Sequence, residues 1–598
     1  MLRSHPLGIV LVALTAASGL ALASWHFAIL PDWWQDRVGV GPPLAGPHDG
    51  YSNILPEDYV GPDACGKCHK AEHKLWSKHP HRFMNQWASP QSVKGDFSGV
   101  TWEPRPGYSV RFHTSDDGAY LMSITRPGKK GTRYRVTRTV GSRFMQFYIG
   151  VQEEGAEPRE DRRYTVEHKL PFGYWLRLAR WLPVDYFDAG GGDGADYLRD
   201  GIPVLSGVDE PYHVLAYSRT CVHCHTTYPH AYRVFHPGLE GFPDAVLRPD
   251  PARMSQELAR WVDVRPTRAG LSDLLYRVDP KDGLVTIGIS CESCHLGGRE
   301  HATRKNKPSF FPTHPGVQVL ARHEDREFLG HRDDPATSQG VCAQCHSARG
   351  VAMHPNGARK RNSAESMDMA DGHCISKIKC TTCHEPHTPG PPSGGPVVPA
   401  HVQACVECHG HLASPEQQAA HARHRPESGV TCLDCHMPRI TQGLDEMMRT
   451  HRISHPVERS MATQGAPNAC NLCHLDRPIR WAVEEVRKGW GQKIELGPAA
   501  PDPRLSRPAG ELWLESREMI ERMIAVDSYS RLPDARKHLP TIMGVMNDRT
   551  SVVRIYAVFA AERVLGRRIH QKELDVSAGP ATRKQQIDLL LREVKGER

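Results

Sequence analysis

The hydrophobic pattern changes character several times along the chain. Behind the start Met1-Leu-Arg3, an apolar stretch runs from Leu7 to Ala23 and resumes as Trp25–Leu30, ending in Pro31-Asp-Trp-Trp34. A signal-peptide core is shorter than this reach, and about 20 apolar residues span a bilayer. Residues 1–34 are therefore expected to be a signal peptide or, as the reach to Leu30 favours, an N-terminal membrane anchor with Trp33 and Trp34 at the interface. Residues 35–58 are rich in Gly and Pro and read as a linker. Glu72, Leu75, Trp76, His79, His81, Met84 and Trp87 follow a short helical period broken at Pro80. From about 100 to 155 the period becomes two, as in Tyr108–Phe112, Tyr120–Ile124, Tyr134–Val136 and Phe147–Ile149, which predicts a small antiparallel β module. Helical spacing dominates from 481 onward, over Arg517–Val526, Leu532–Asn547, Ser551–Leu565 and Thr582–Val594, with Gly566 as a C-cap. That tail predicts a helical domain over 481–598, either of paired-helix repeats of the HEAT kind or a generic helical cap.

Once ahead of the strands and seven times between them and the tail, periodicity gives way to a repeated motif. Cys-x-x-Cys-His occurs at Cys65, Cys68, His69; Cys221, Cys224, His225; Cys291, Cys294, His295; and Cys342, Cys345, His346. It recurs at Cys380, Cys383, His384; Cys405, Cys408, His409; Cys432, Cys435, His436; and Cys470, Cys473, His474. In this motif two thiols add to the vinyl groups of a porphyrin and the adjacent histidine lies beneath the ring as proximal iron ligand. At this Cys and His content, chance yields ~0.03 copies rather than eight. Structural zinc needs pairs of Cys pairs at ribbon spacing and makes no demand on the residue after the second Cys. The motifs use all but one of the 17 cysteines, leaving Cys374 and no material for a disulfide framework. Eight covalently attached haem c groups are the expected cofactors.

Charge alters the picture little. The formal net charge is +7, but a ferric haem with two ionised propionates adds ~1 negative charge, so eight bring the loaded protein near neutrality. No nucleic-acid partner is read from it. Haem attachment of this kind takes place outside the cytoplasm, so the body is expected to be exported to the periplasmic side, held at the cytoplasmic membrane by the N-terminus.

The sequence resembles the multihaem cytochrome c superfamily that includes tetrahaem cytochromes c and octahaem hydroxylamine-oxidoreductase-like proteins with doubled Cys-x-x-Cys-His domains. The resemblance is carried by Tyr59-Val-Gly-Pro-Asp-Ala-Cys-Gly-Lys-Cys-His69 and Ser290-Cys-Glu-Ser-Cys-His295. Further on it rests on Cys380-Thr-Thr-Cys-His-Glu-Pro-His387, Cys432-Leu-Asp-Cys-His-Met-Pro438 and Pro467-Asn-Ala-Cys-Asn-Leu-Cys-His474. It implies a mainly α chain with extensive irregular structure, a multihaem cytochrome c fold organised around packed haems. An octahaem domain at 59–480 would carry the β insertion, followed by the C-terminal α-helical bundle. It also implies haem-near, distal roles for His81, His213, His301, His387, His424 and His451. Removing the eight proximal histidines from 35 leaves 27, enough to close every iron. If all are closed, the chain relays electrons between redox proteins or to a membrane respiratory complex. If one is open, the alternative is a multihaem oxidoreductase of small nitrogen or sulfur compounds. No motif is Lys-terminated as in nitrite-reducing relatives. Catalytic residues and oligomeric state are not legible at this stage.

Overall fold

The computed structural model describes residues 52–596, except 106, most of 185–215, 231–282 and 305–339, and the stretches 349–350, 375–376, 390–397 and 497–501. The anchor or signal segment 1–34, most of the linker and His213 lie outside the described residues. No described helix is long and apolar enough to cross a membrane.

The strand-forming stretch is larger than its two-residue period indicates. Strands β1 (Asn85–Trp87), β2 (Ser98–Arg105), β3 (Tyr108–Thr114), β4 (Tyr120–Thr125), β5 (Thr132–Val140), β6 (Met145–Glu154), β7 (His168–Trp175) and β8 (Arg180–Pro183) form one antiparallel sheet. It is a meander from β2 to β8, with β1 paired to the end of β5 through Asn85 and Val140. Alternation sends Val110 and Phe112 of β3 and Tyr134 and Val136 of β5 inward. Phe112 stacks on Trp181 of β8, their ring centroids 3.9 Å apart, so the sheet curls into a nearly closed barrel.

The chain is therefore not mainly α, and its β part is not a small insertion at 100–155. The strands β7 and β8 show no two-residue period because nearly every residue in them is buried. One face fills the barrel and the other meets the helical tail, and a strand covered on both faces reads as a continuous apolar run.

The tail comprises α1 (Ile479–Trp490), α2 (Ala509–Leu514), α3 (Met519–Tyr529), α4 (Leu539–Val545), α5 (Ser551–Leu565) and α6 (Pro580–Lys595). Helix α5 is buried on every side from Ser551 to Glu562 and ends at Gly566, whose φ of 69° is the left-handed cap that glycine adopts without penalty. It docks on the barrel. Trp175 meets Phe559 at 5.5 Å between ring centroids, Arg177 lies 3.4 Å from the Glu562 carboxylate, and Arg180 Nη1 donates to the Leu574 carbonyl at 3.2 Å. One apolar core runs from Phe112 and Phe172 through Met447, Met461 and Ile479 to α3 and α5. The motif-bearing segments are strung along this frame.

Candidate haem centres

Each motif is built as a single helical turn. The histidine N–H donates to the first cysteine's carbonyl in the motifs ending at His69 (2.9 Å), His225 (3.0 Å), His295 (2.9 Å), His346 (3.0 Å), His384 (3.0 Å), His409 (3.0 Å) and His474 (3.0 Å). The motif at Cys432–His436 is likewise helical. Residues three and four apart share one helix face, so this turn aims both sulfurs and the imidazole at the same side. None of the 17 cysteines is in a disulfide, and among the described residues no three His, Cys, Asp or Glu side chains converge as a tetrahedral zinc site requires.

Five of the proximal histidines face a second imidazole. His69 Nε2 is 3.5 Å from His301 Nε2. Ring centroids lie 6.1 Å apart for His295 and His387, 6.2 Å for His384 and His451, 6.3 Å for His436 and His421, and 6.3 Å for His474 and His424. A metal–imidazole bond is about 2.0–2.1 Å, so an iron held by two rings sets their nitrogens ~4 Å apart and their centroids ~6 Å apart. The side chains present thus fit a six-coordinate haem in each of these five places. Of the sequence-named partners, His301, His387, His424 and His451 stand in such pairs. His421, missed by sequence reasoning, stands in another. It shares the end of one helix with His424, and Arg423 between them turns left-handed (φ 55°), which sends the two rings to different motifs. His81 is placed otherwise, with His79 4.6 Å away and His225 and His346 in its electrostatic surroundings.

The comparisons bear on the same segments. The Cytochrome c552 family profile matches residues 415–489. Two strains of Geobacter sulfurreducens carry a C-type polyheme cytochrome OmcB that is 29% identical over 115 residues, 17% of this chain and 16% of the relative. The chain is a multihaem c-type cytochrome. It spans about a sixth of the length of the curated relatives it matches. Among solved structures, the Outer Cell Wall Cytochrome OcwA aligns with a TM-score of 0.36 and 13% identity, covering 89% of this chain and all of that one. The Wolinella succinogenes octaheme sulfite reductase MccA aligns at 0.30 and 12% identity, covering 92% of this chain and 84% of that one. Overlaps this loose carry no argument about fold or activity.

Within the cytochrome, the second ring nitrogen of several of these histidines is held by a protein acceptor, which fixes the tautomer and leaves Nε2 for the metal. His436 Nδ1 donates to the Ser454 carbonyl at 2.8 Å, His424 Nδ1 to the Ala422 carbonyl at 2.7 Å, and His387 Nδ1 to Glu385 at 2.9 Å. His346 Nδ1 donates to Glu365 Oε2 at 3.0 Å. Burial works against charge on His346, but the Glu365 bond and its negative charge win and push it up to about 9, while His346 draws Glu365 down to about 2. Burial pushes His81, His225, His295 and His451 down to about 4, which keeps them as neutral imidazoles, the form that ligates metal.

Neighbouring motifs touch. The thiols of Cys65 and Cys291 interact, as do those of Cys342 with Cys380 and of Cys405 with Cys432. Cys294 lies near Cys345, Cys383 near Cys405, and Cys435 near Cys470. The second motif joins from the side, with Cys345 Sγ 3.8 Å from the His223 carbonyl. Packing between the first and third motifs is tight: Glu292 accepts from Val60 N (2.9 Å), Gly61 N (2.8 Å) and Gly298 N (2.8 Å). Gly288 (φ 87°) approaches so closely that a Cβ there would lie 2.2 Å from the Arg82 carbonyl. The unmatched thiol, Cys374, lies in the surroundings of Cys405 and Cys408.

Proposed function

We propose that the chain is an exported octahaem cytochrome that passes electrons along a row of closely held haems between redox partners. The observation that carries it is the set of five facing histidine pairs, since an iron held by protein on both faces exchanges electrons and has no place for a substrate. Bound haem c supplies one-electron exchange between Fe(III) and Fe(II). The chain's contribution is placement. The thiol contacts order the motifs first, third, fourth, fifth, sixth, seventh, eighth, with the second joining at the fourth, so successive attachment sites adjoin. His301, His387, His421, His424 and His451 act as distal ligands, and His81 and His213 are further distal candidates. On this reading residues 59–480 form the octahaem domain and 481–598 a helical module that docks a redox protein or membrane respiratory complex. Residues 1–34 export the chain and tether it on the periplasmic side of the membrane.

A second reading has a specific observation in its favour. Among the described residues His225 and His346 face no second imidazole at haem spacing, and the ring beside His409 is His411 of the same turn. An open iron at one of them supports the oxidoreductase alternative, acting on small nitrogen or sulfur compounds. Intact mass of the exported protein is expected to show eight haem increments. The electron paramagnetic resonance spectrum of the oxidised protein is expected to be low-spin throughout and unchanged by nitrite, hydroxylamine or cyanide. A high-spin signal that those ligands perturb transfers the assignment to the enzyme.

A further inference from the structure

The fourth motif is held differently from the others. Its His346 is the one proximal histidine, among the described residues, whose Nδ1 is bonded to a carboxylate, Glu365 Oε2 at 3.0 Å. His436 uses a backbone carbonyl, and among the described residues Nδ1 of His225 and of His295 has no hydrogen-bond partner. The carboxylate is anchored in turn: Ser363 N donates to Glu365 Oε1 at 2.9 Å. Ser363 adopts φ 67°, a left-handed conformation that a serine holds at a cost and that delivers this N–H to the carboxylate. The same short segment grips the histidine from its other end, with Ser366 N (3.0 Å) and Ser366 Oγ (2.7 Å) both donating to the His346 carbonyl. Residues 363–366 therefore fix ring, tautomer and backbone of His346 together. The fourth motif is also where three others meet: Cys342 adjoins Cys380 of the fifth, Cys345 adjoins Cys294 of the third, and Cys345 Sγ reaches the His223 carbonyl of the second.

We propose that Glu365 is a positioning residue that tunes the haem carried by Cys342 and Cys345, making His346 a more electron-donating ligand and lowering that haem's potential at the junction of the row. A carboxylate accepting the Nδ1–H raises imidazole basicity and places a negative charge near the iron, and both favour Fe(III) over Fe(II). The inference rests on the octahaem reading. It concerns one protein group and one electron per iron, with no chemical bond made or broken.

The test is a redox titration of the holoprotein followed by electron paramagnetic resonance, comparing wild type with Glu365→Gln and Glu365→Asp. Gln keeps an acceptor for Nδ1–H and removes the charge, whereas Asp keeps the charge on a shorter arm. In E365Q the ferrous-to-ferric ratio of one haem at a fixed ambient potential is expected to rise about tenfold, ~59 mV for one electron, with the other haems unmoved. E365D is expected to restore most of the difference, which a merely structural role for the side chain does not predict. Equal potentials in E365Q and wild type overturn the inference. Intact mass and peptide mapping of the same samples separate the two levels: a fourth motif without haem in the wild-type protein sinks the octahaem reading, whereas full loading with an unmoved potential sinks only the role of Glu365.

Discussion

At the scale of single residues, motif chemistry is local and distal chemistry is not. Two thiols and an imidazole within one helical turn are written contiguously, so each motif is legible in the sequence. His301, His387, His424 and His451 could be named from a resemblance, but which motif each one faces is decided by chain segments far apart in sequence. His421 was missed because two histidines three apart at a helix end look like one site. The left-handed Arg423 that parts them is invisible until the helix is seen to stop there. The two should therefore separate experimentally. His421→Ala is expected to convert the haem at Cys432 and Cys435 from low- to high-spin, and His424→Ala to do the same at Cys470 and Cys473, with eight haem increments kept in both variants. Paramagnetic resonance reads the spin change and intact mass the loading; a His421→Ala spectrum identical to wild type would falsify the pairing.

At the scale of elements, amphipathic periodicity was legible where one face meets solvent and failed where neither does. Helix α5 could be located from Gly566 and its break at 548–550, whereas β7 and β8 hid in an aromatic run because both their faces are covered. The α3–α5 contact adds charge to this apolar packing. Asp527 is bonded by Arg531 at 2.7 Å and Arg563 at 3.0 Å, and its side chain is 6% exposed. Burial raises its pKa, but the two guanidinium groups outweigh burial and leave it below the usual carboxylate value. A folded-state pKa depressed below the unfolded value, near 3.9, contributes stability above that value. The contribution is lost as pH falls through the depressed one. Thermal unfolding followed from neutral pH downward is accordingly expected to lose stability below about pH 4. Asp527→Asn removes that acid-dependent component and costs about 1–3 kcal/mol at neutral pH, because Arg531 and Arg563 lose one of their two carboxylate partners and keep only Glu446. An unchanged melting temperature at neutral pH would refute this account of the cluster.

At the scale of the whole molecule, the haem-bearing strap is held by a frame that no single segment could supply. Trp175 is 1% exposed and sits against Phe559, while Tyr556 donates to the Gly443 carbonyl at 2.7 Å, so barrel, tail and the turn after the seventh motif share one core. Removing the aromatic contact from the barrel side tests whether that frame is continuous. Trp175→Ala is expected to cost about 3–5 kcal/mol, the usual range for emptying a large aromatic site in a packed core. The loss should appear at a distance, because the cavity opens onto α5. Limited proteolysis of the holoprotein should then cut both the barrel turns and the loops around 566–579 faster than in wild type, in parallel. The haem spectra should hold until the frame gives way, since Trp175 packs on Phe559 of the tail rather than within a motif. Faster cleavage confined to the barrel would mean that barrel and tail unfold separately and that their shared core is a contact surface between two independent units.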